Sequence, residues 1–239
     1  GCGRGGRTAR RLHEVPGAGA RGHELAGALA GAGVRGYAVA VSAGAGALSA
    51  EGAGSIEGVR VELQARVVLL PAVSFTVKAR DEVRISARES ADVAATLSAR
   101  SVELSAGGRL VVGWDGGMWQ VARFSAVAES IAVVGGQAIQ TAGSTSCANR
   151  ETSFADQCGR FLGQAQDTPA AVPTAQDLAF DFVVAARSSL VVGEAARVLA
   201  ASMLLCAGGR AELGARAILN AQGRGCGPGE GPSSGQTAE

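Results

Sequence analysis

Two short segments hold the residues best suited to chemistry: Gln166-Asp167-Thr168, with Arg160-Phe-Leu-Gly163 just before it, and Phe180-Asp181-Phe182. Two carboxylates held in unlike environments can divide proton transfer and nucleophilic attack between them. The competing reading of each is an ordinary loop or strand carboxylate. Asp115 is a third candidate, because it stands between Trp114 and a glycine and an aromatic platform beside a carboxylate suits a sugar. Aspartates next to glycine are also common turn residues. Other chemistries are narrowed by what the chain lacks. Lys78 is the only lysine among 22 basic residues, so a phosphate loop, a Schiff base or a kinase-like lysine would have to use it, and no glycine-rich loop precedes it. Gly31-Ala-Gly33-Val-Arg-Gly36 fits GxGxxG, but a dinucleotide site needs a strand before it and a helix after it, the reverse of the order here. Gly231-Pro-Ser233-Ser-Gly235 fits GxSxG, yet no histidine follows to complete a hydrolase triad. Cys2, Cys147, Cys158, Cys206 and Cys226 include no CxxC pair, and His13 and His23 both lie near the start, so no metal site of the usual spacing and no cofactor is expected.

The QDT and DF segments resemble signatures of the pectinesterases, a family of right-handed parallel β-helices. The resemblance implies a carbohydrate esterase in which Asp167 is the acid/base, Asp181 the nucleophile, and Gln137 and Gln166 polarise the developing oxyanion, with an arginine such as Arg187 or Arg216 assisting. The two aspartates stand closer together here than in that family.

Whatever these residues do, thin elements must position them. Of 239 residues 48 are Ala and 36 are Gly, and aromatic residues make up 4%, so the 47% apolar content cannot build a core around large side chains. A formal charge of +1, dispersed along the chain, and a pI near 7.8 argue against a nucleic-acid partner. No run of 18 uninterrupted apolar residues exists, so no membrane-spanning helix is expected. The chain opens Gly-Cys-Gly and carries no charged-then-apolar leader, and it reads as a mature product or an excerpt of something longer.

From Tyr37, and above all from Val59 to Ala106, apolar residues alternate: Val59/Val61/Leu63/Ala65, Val73/Phe75/Val77/Ala79, Val83/Ile85/Ala87, Val93/Ala95/Leu97/Ala99 and Val102/Leu104/Ala106. Period 2 places these on one face of extended strands and Arg60, Glu62, Gln64, Lys78, Arg84, Ser98 and Glu103 on the other. Short strands at roughly ten-residue spacing mean a sandwich, a barrel or a solenoid. Small inward residues favour the solenoid, whose coils close on Val, Leu and Ala stacked on like residues about 4.8 Å above, where a sandwich wants large interdigitating side chains. The Ala-rich segments 91–102 and 194–206 are equally compatible with helix, since such runs defeat periodicity.

The expected organisation is an irregular Gly/Ala/Arg-rich segment at 1–36, a solenoid domain at 37–222 with a long loop at about 144–173, and a Gly/Pro/Ser-rich tail at 223–239. The loop is a candidate contact site. Cys147 and Cys158 could close a disulfide across it or stay free, and Cys206 reads as core. Ala221-Gln-Gly223-Arg-Gly225-Cys226-Gly-Pro-Gly229-Glu-Gly231, with an echo at Gly46 to Gly54, resembles large glycine-rich surface proteins of plants and algae. That resemblance implies a β-solenoid-like fold with no catalytic residues to carry over. The expectation is therefore an all-β, right-handed parallel β-solenoid of roughly eight to ten coils of about 20–25 residues. It would be a structural scaffold within a secreted or cell-surface protein, its partners polysaccharide or other surface proteins. The alternative is a pectinesterase-like hydrolase using Asp167 and Asp181.

Overall fold

The computed structural model describes residues 34–50, 53–71, 73–142, 158–159, 162 and 180–221. Among them, fifteen strands follow one another. These are β1 (Val34–Ser42), β2 (Ala47–Ser49), β3 (Gly54–Leu70), β4 (Phe75–Val93), β5 (Thr96–Ser98), β6 (Ser101–Ala106), β7 (Arg109–Val112) and β8 (Met118–Val121). The rest are β9 (Arg123–Val133), β10 (Ala138–Thr141), β11 (Phe182–Val192), β12 (Arg197–Leu199), β13 (Met203–Ala207), β14 (Arg210–Leu213) and β15 (Ile218–Asn220). Every pairing among them is parallel. Partners lie about one coil apart: 22 residues from Val34 to Ile56, 21 from Gly54 to Phe75, 19 from Glu82 to Ser101 and 21 from Phe182 to Met203. The fold is a parallel β-solenoid of about seven coils. That is fewer than the eight to ten expected, because one stretch adds chain without adding a coil. Phe124 pairs with Phe182, 58 residues on; taking away a 21-residue coil leaves 37 residues of excursion between β10 and β11.

Each coil has three faces. The first carries β5, β8, β10, β12, β15 and the leading parts of β3 and β4. The second carries β6, β13, the middles of β3 and β4 and the leading parts of β9 and β11. The third carries β2, β7, β14 and the trailing parts of the long strands. Inward side chains form columns one strand spacing apart. The second face stacks Val39, Val61, Val83, Val102, Phe124 and Phe182, and beside them Leu63, Ile85, Leu104, Ala126 and Val184. The third stacks Leu48, Val68, Ala91, Leu110, Ile131 and Leu190. All of these are buried. Aromatic residues occupy the middle coils in a continuous run, Trp114 edge-on to Trp119, Trp119 tilted against Phe124, and Phe124 stacked on Phe182 at 5.2 Å.

Outward columns on the second face alternate in charge: Arg60 lies beside Glu82, and Glu62, Arg84 and Glu103 follow one another. Stacked like charges would repel at this spacing, and the alternation turns the stack into ion pairs. Arg84 bonds both Glu82 and Glu103 at 3.0 Å. Burial disfavours the Arg84 charge, yet Glu103, Glu82 and Glu62 outweigh it and raise its pKa above the ordinary arginine value.

The corners explain much of the glycine. Where the second face meets the third, a Cβ on Gly107 or Gly208 would collide with the carbonyl oxygen of Arg88 or Arg187 in the coil before. Where the third face meets the first, one turn repeats four times. Gly117, Gln137, Ala196 and Ala217 each donate a backbone hydrogen bond to the residue three before it. The third position of each turn has positive φ, at Gly116, Gly136, Ala195 and Arg216.

Both Ala-rich segments of ambiguous sequence are strand, as β4 to β6 and as β12 and β13, because each pairs with a neighbouring coil. Strand begins at Val34, inside the stretch read as irregular. Val73, expected on the inner face, sits in a corner turn and is exposed. No helix among the described residues is long and apolar enough to cross a membrane.

Candidate functional site

Asp181 lies where the chain re-enters the solenoid, at the corner between the first and second faces. Its carboxylate accepts four hydrogen bonds: from Thr141 Oγ1 at 2.5 Å, Ala201 N at 2.9 Å, Ser202 N at 2.6 Å and Ser202 Oγ at 2.9 Å. Its own N–H donates to Ser202 Oγ at 3.1 Å, and its carbonyl accepts from Phe124 N at 2.8 Å. One residue thus ties coil six to the coils on either side of it. Asp181 is 4% exposed, and both of its carboxylate oxygens accept hydrogen bonds.

Gln137 sits at a different corner, between the third and first faces, and is fully buried. Its Oε1 accepts from Trp114 N at 3.0 Å and its Nε2 donates to Ala138 O at 2.6 Å. The side chain fills the space that Cβ atoms on Gly113 and Gly117 would need. Between Gln137 and the Thr141–Asp181 contact runs β10, whose four residues at about 3.3 Å each separate the two groups by roughly 13 Å, beyond a direct or single-water bridge. Arg187 is at the remaining corner, 3.7 Å from Glu129, and Arg216 is in the last coil, paired with Glu194. The structure therefore does not bring Gln137, Asp181, Arg187 and Arg216 together. Gln166 and Asp167 lie outside the described residues, as do His13, His23, Cys2, Cys147, Cys226 and the GxSxG segment.

The remaining sequence candidates are also placed. Asp115 is exposed at the tip of a turn, but the Trp114 ring beside it is packed over Gly117 and against Trp119 and is half-buried. Of the GxGxxG match, Gly36 lies within β1, paired with Gly58, where a dinucleotide site would need the start of a helix. Lys78 is exposed on β4 next to Glu57 of the adjacent coil.

A feature the sequence reading missed lies on the outer side of the second face. In coils two to four its outward columns are polar: Glu62, Arg84 and Glu103, then Gln64, Ser86 and Ser105. In coils five to seven the same columns hold Ser125, Val183 and Leu204, then Val127, Ala185 and Cys206, all buried. Phe180 joins this second cluster, and Cys158 and Leu162 from the excursion pack on it. Cys158 is disulfide-bonded to Cys206, with 5.6 Å between their Cα atoms and 48 residues between them. For Cys158 neither alternative left open by the sequence, a bond to Cys147 or a free thiol, holds. Register explains it, because the column that runs through Ser105 and Val127 reaches Cys206 under the covering segment. The signal was present in Phe182-Val-Val-Ala-Ala186 and Met203-Leu-Leu-Cys-Ala207, unbroken apolar runs that mark strands buried on both faces.

This chain matches no protein-family model, no curated protein and no solved structure.

Proposed function

We propose that this chain is a non-enzymatic scaffold, a stiff solenoid segment of a larger secreted or cell-surface protein. The observation that carries the reading is the placement of the polar residues that sequence singles out: Gln137 and Asp181 sit at different corners, and each spends its hydrogen-bonding groups on closing the coil. Continuous parallel ladders and compensated charge columns suit a body that resists bending and local opening. The Cys158–Cys206 bond suits an oxidising compartment and so favours a surface or secreted location. Polysaccharide or other surface proteins are the partners in this reading, with the 144–173 stretch as the candidate contact site.

Methanol release from methyl-esterified pectin tests it. The purified chain should release none above buffer. Release by the wild-type chain that is lost in a folded Asp181→Asn variant would overturn the scaffold in favour of a pectinesterase-like hydrolase.

A further inference from the structure

The two ends of the solenoid differ. In the first coil the inward Val39 and Leu48 are buried, at 3% and 1% exposed. In the last coil the inward columns end in the open: Ala211, which stacks on Leu190, is exposed, and Leu213, which stacks on Val192, is 62% exposed. Among the described strands β13 and β14 pair only with β11, and β15 only with β12, so three ladders stop at this end. An open edge beside exposed apolar side chains is a template for another strand. Residues 222–239 contain no Val, Leu, Ile, Met or aromatic side chain with which to continue the columns. The occupant that fits is therefore another molecule.

We infer that the end formed by β13, β14 and β15 docks on the same end of a second copy of this chain, about a two-fold axis through Ala211. This goes beyond the scaffold reading and does not depend on it. A two-fold axis across a three-sided coil maps one face onto itself, exchanges the other two and reverses chain direction. β14 then runs antiparallel to its copy and β13 antiparallel to β15 of the other molecule, bringing the half-buried Leu205 and Leu219 to the seam. Directly opposed residues of an antiparallel pair point to the same side, so inward must meet inward and a residue, not a peptide bond, lies on the axis. Centring on Arg210 or Glu212 sets like charges face to face, and centring on Leu213 pairs the strand with the corner turn. Centring on Ala211 sets Arg210 of each copy opposite Glu212 of the other on the outer side. Within one chain Arg210 already pairs with Glu212, so the dimer closes a ring of four alternating charges. Because the inward residues of the first coil are buried, the contact joins like ends and the assembly closes at two copies. Residues 203–220 give 18 residues a side, just below the roughly 20–30 of a standard interface, so the dimer should dissociate on dilution.

The test is sedimentation velocity on the full chain with Cys2, Cys147 and Cys226 replaced by Ser, so that no disulfide links two copies through them. At about 10–100 µM it should sediment as a dimer, twice 23.7 kDa, and fall to monomer on dilution. Arg210→Glu and Glu212→Arg each set like charges across the seam, and each variant alone should stay monomeric with its strand signal intact. An equimolar mixture of the two again opposes Glu and Arg at both positions and should dimerise. A reading that needs no variant is hydrogen exchange: amides of 210–213 should exchange about tenfold slower in the dimer than in the diluted monomer, whose last coil is covered on one side only. A chain that is monomeric throughout that range would overturn the proposal. Protection of 210–213 already present in that monomer would assign the cover to 222–239 instead. A dimer that persists in both folded variants, a mixture of them that stays monomeric, or a dimer whose 210–213 amides gain no protection would place the contact elsewhere and overturn it as well.

Discussion

Thr141 donates a 2.5 Å hydrogen bond to the carboxylate of Asp181, and the two residues are 40 positions apart in sequence. They bracket the excursion between β10 and β11, so this contact restores coil geometry after the chain has left the solenoid. Asp181→Asn keeps the shape but removes the charge and sets an NH2 group against donors from Thr141, Ala201 and Ser202. Charge-assisted bonds to a buried carboxylate are among the stronger ones, and the substitution should cost about 2–4 kcal/mol. Thr141→Val, which removes one donor of four, should cost about 1–2 kcal/mol. Urea unfolding followed by tryptophan fluorescence measures both. If Asp181→Asn leaves the midpoint where it was, the residue does not staple the corner.

A second prediction concerns Arg84 and Glu103. Glu103 points outward yet its side chain is 3% exposed, while that of Arg84 is 35% exposed. Arg84→Met should cost about 1–3 kcal/mol, since it removes the Arg84 ion pair from a buried carboxylate, with the range held down by the exposure of the arginine. Adding Glu103→Gln should recover part of the loss. Two urea midpoints decide the matter, and a double variant less stable than Arg84→Met would contradict the pairing.

Between Val59 and Ala106 the fold was legible because one strand face is buried and the other is not, so alternation survives in the sequence. It fades at Ser125 to Ala128, Phe182 to Ala186 and Met203 to Ala207, where the outer face is buried too. Alternation carries no information about a strand with two dry sides. The 194–206 stretch was open between helix and strand for a related reason: Ala, Leu and Met satisfy helix propensity, and only pairing with β10 and β11 decides for strand. The candidate site fared differently. Asp181 was singled out by the likeness of Phe180-Asp181-Phe182 to a DF signature, but its four donors come from two distant stretches, Thr141 and Ala201–Ser202, which no local pattern encodes. Cys158 and Cys206 found each other through coil register, a quantity that requires knowing where the excursion begins and ends.

The repeated turn gives a third prediction. Gly116 and Gly136 adopt positive φ at no steric cost, whereas Ala195 and Arg216 hold the same conformation with φ of 57° and 61°. Relieving one of them should help: Ala195→Gly should raise stability by about 0.5–1 kcal/mol, the left-handed strain exceeding the added freedom of the unfolded chain. The opposite change at a crowded corner should hurt. Gly107→Ala must push its Cβ into the Arg88 carbonyl, a backbone atom that cannot swing aside, and should cost about 2 kcal/mol or more. Thermal melts of the two variants should therefore move in opposite directions. Melts that moved the same way would refute the turn assignment.

Stability should also be graded along the solenoid. In stacked repeats each coil is held by its neighbours, so a coil covered on one side opens before one covered on both. The columns that are buried in coils two to six loosen at the last described coils: Leu205, Ala207 and Leu219 are half-buried and Leu213 is 62% exposed. By contrast β3 and β4, the longest strands at 17 and 19 residues, pair along nearly their whole length. Amides of β14 and β15 should exchange by local opening, with little dependence on denaturant, whereas those of β3 and β4 should exchange only on global unfolding. Native-state hydrogen exchange in rising urea reads the difference directly. Parallel denaturant slopes for both groups would mean that the solenoid melts as one cooperative block, and the coil-by-coil account of its energetics would have to be given up.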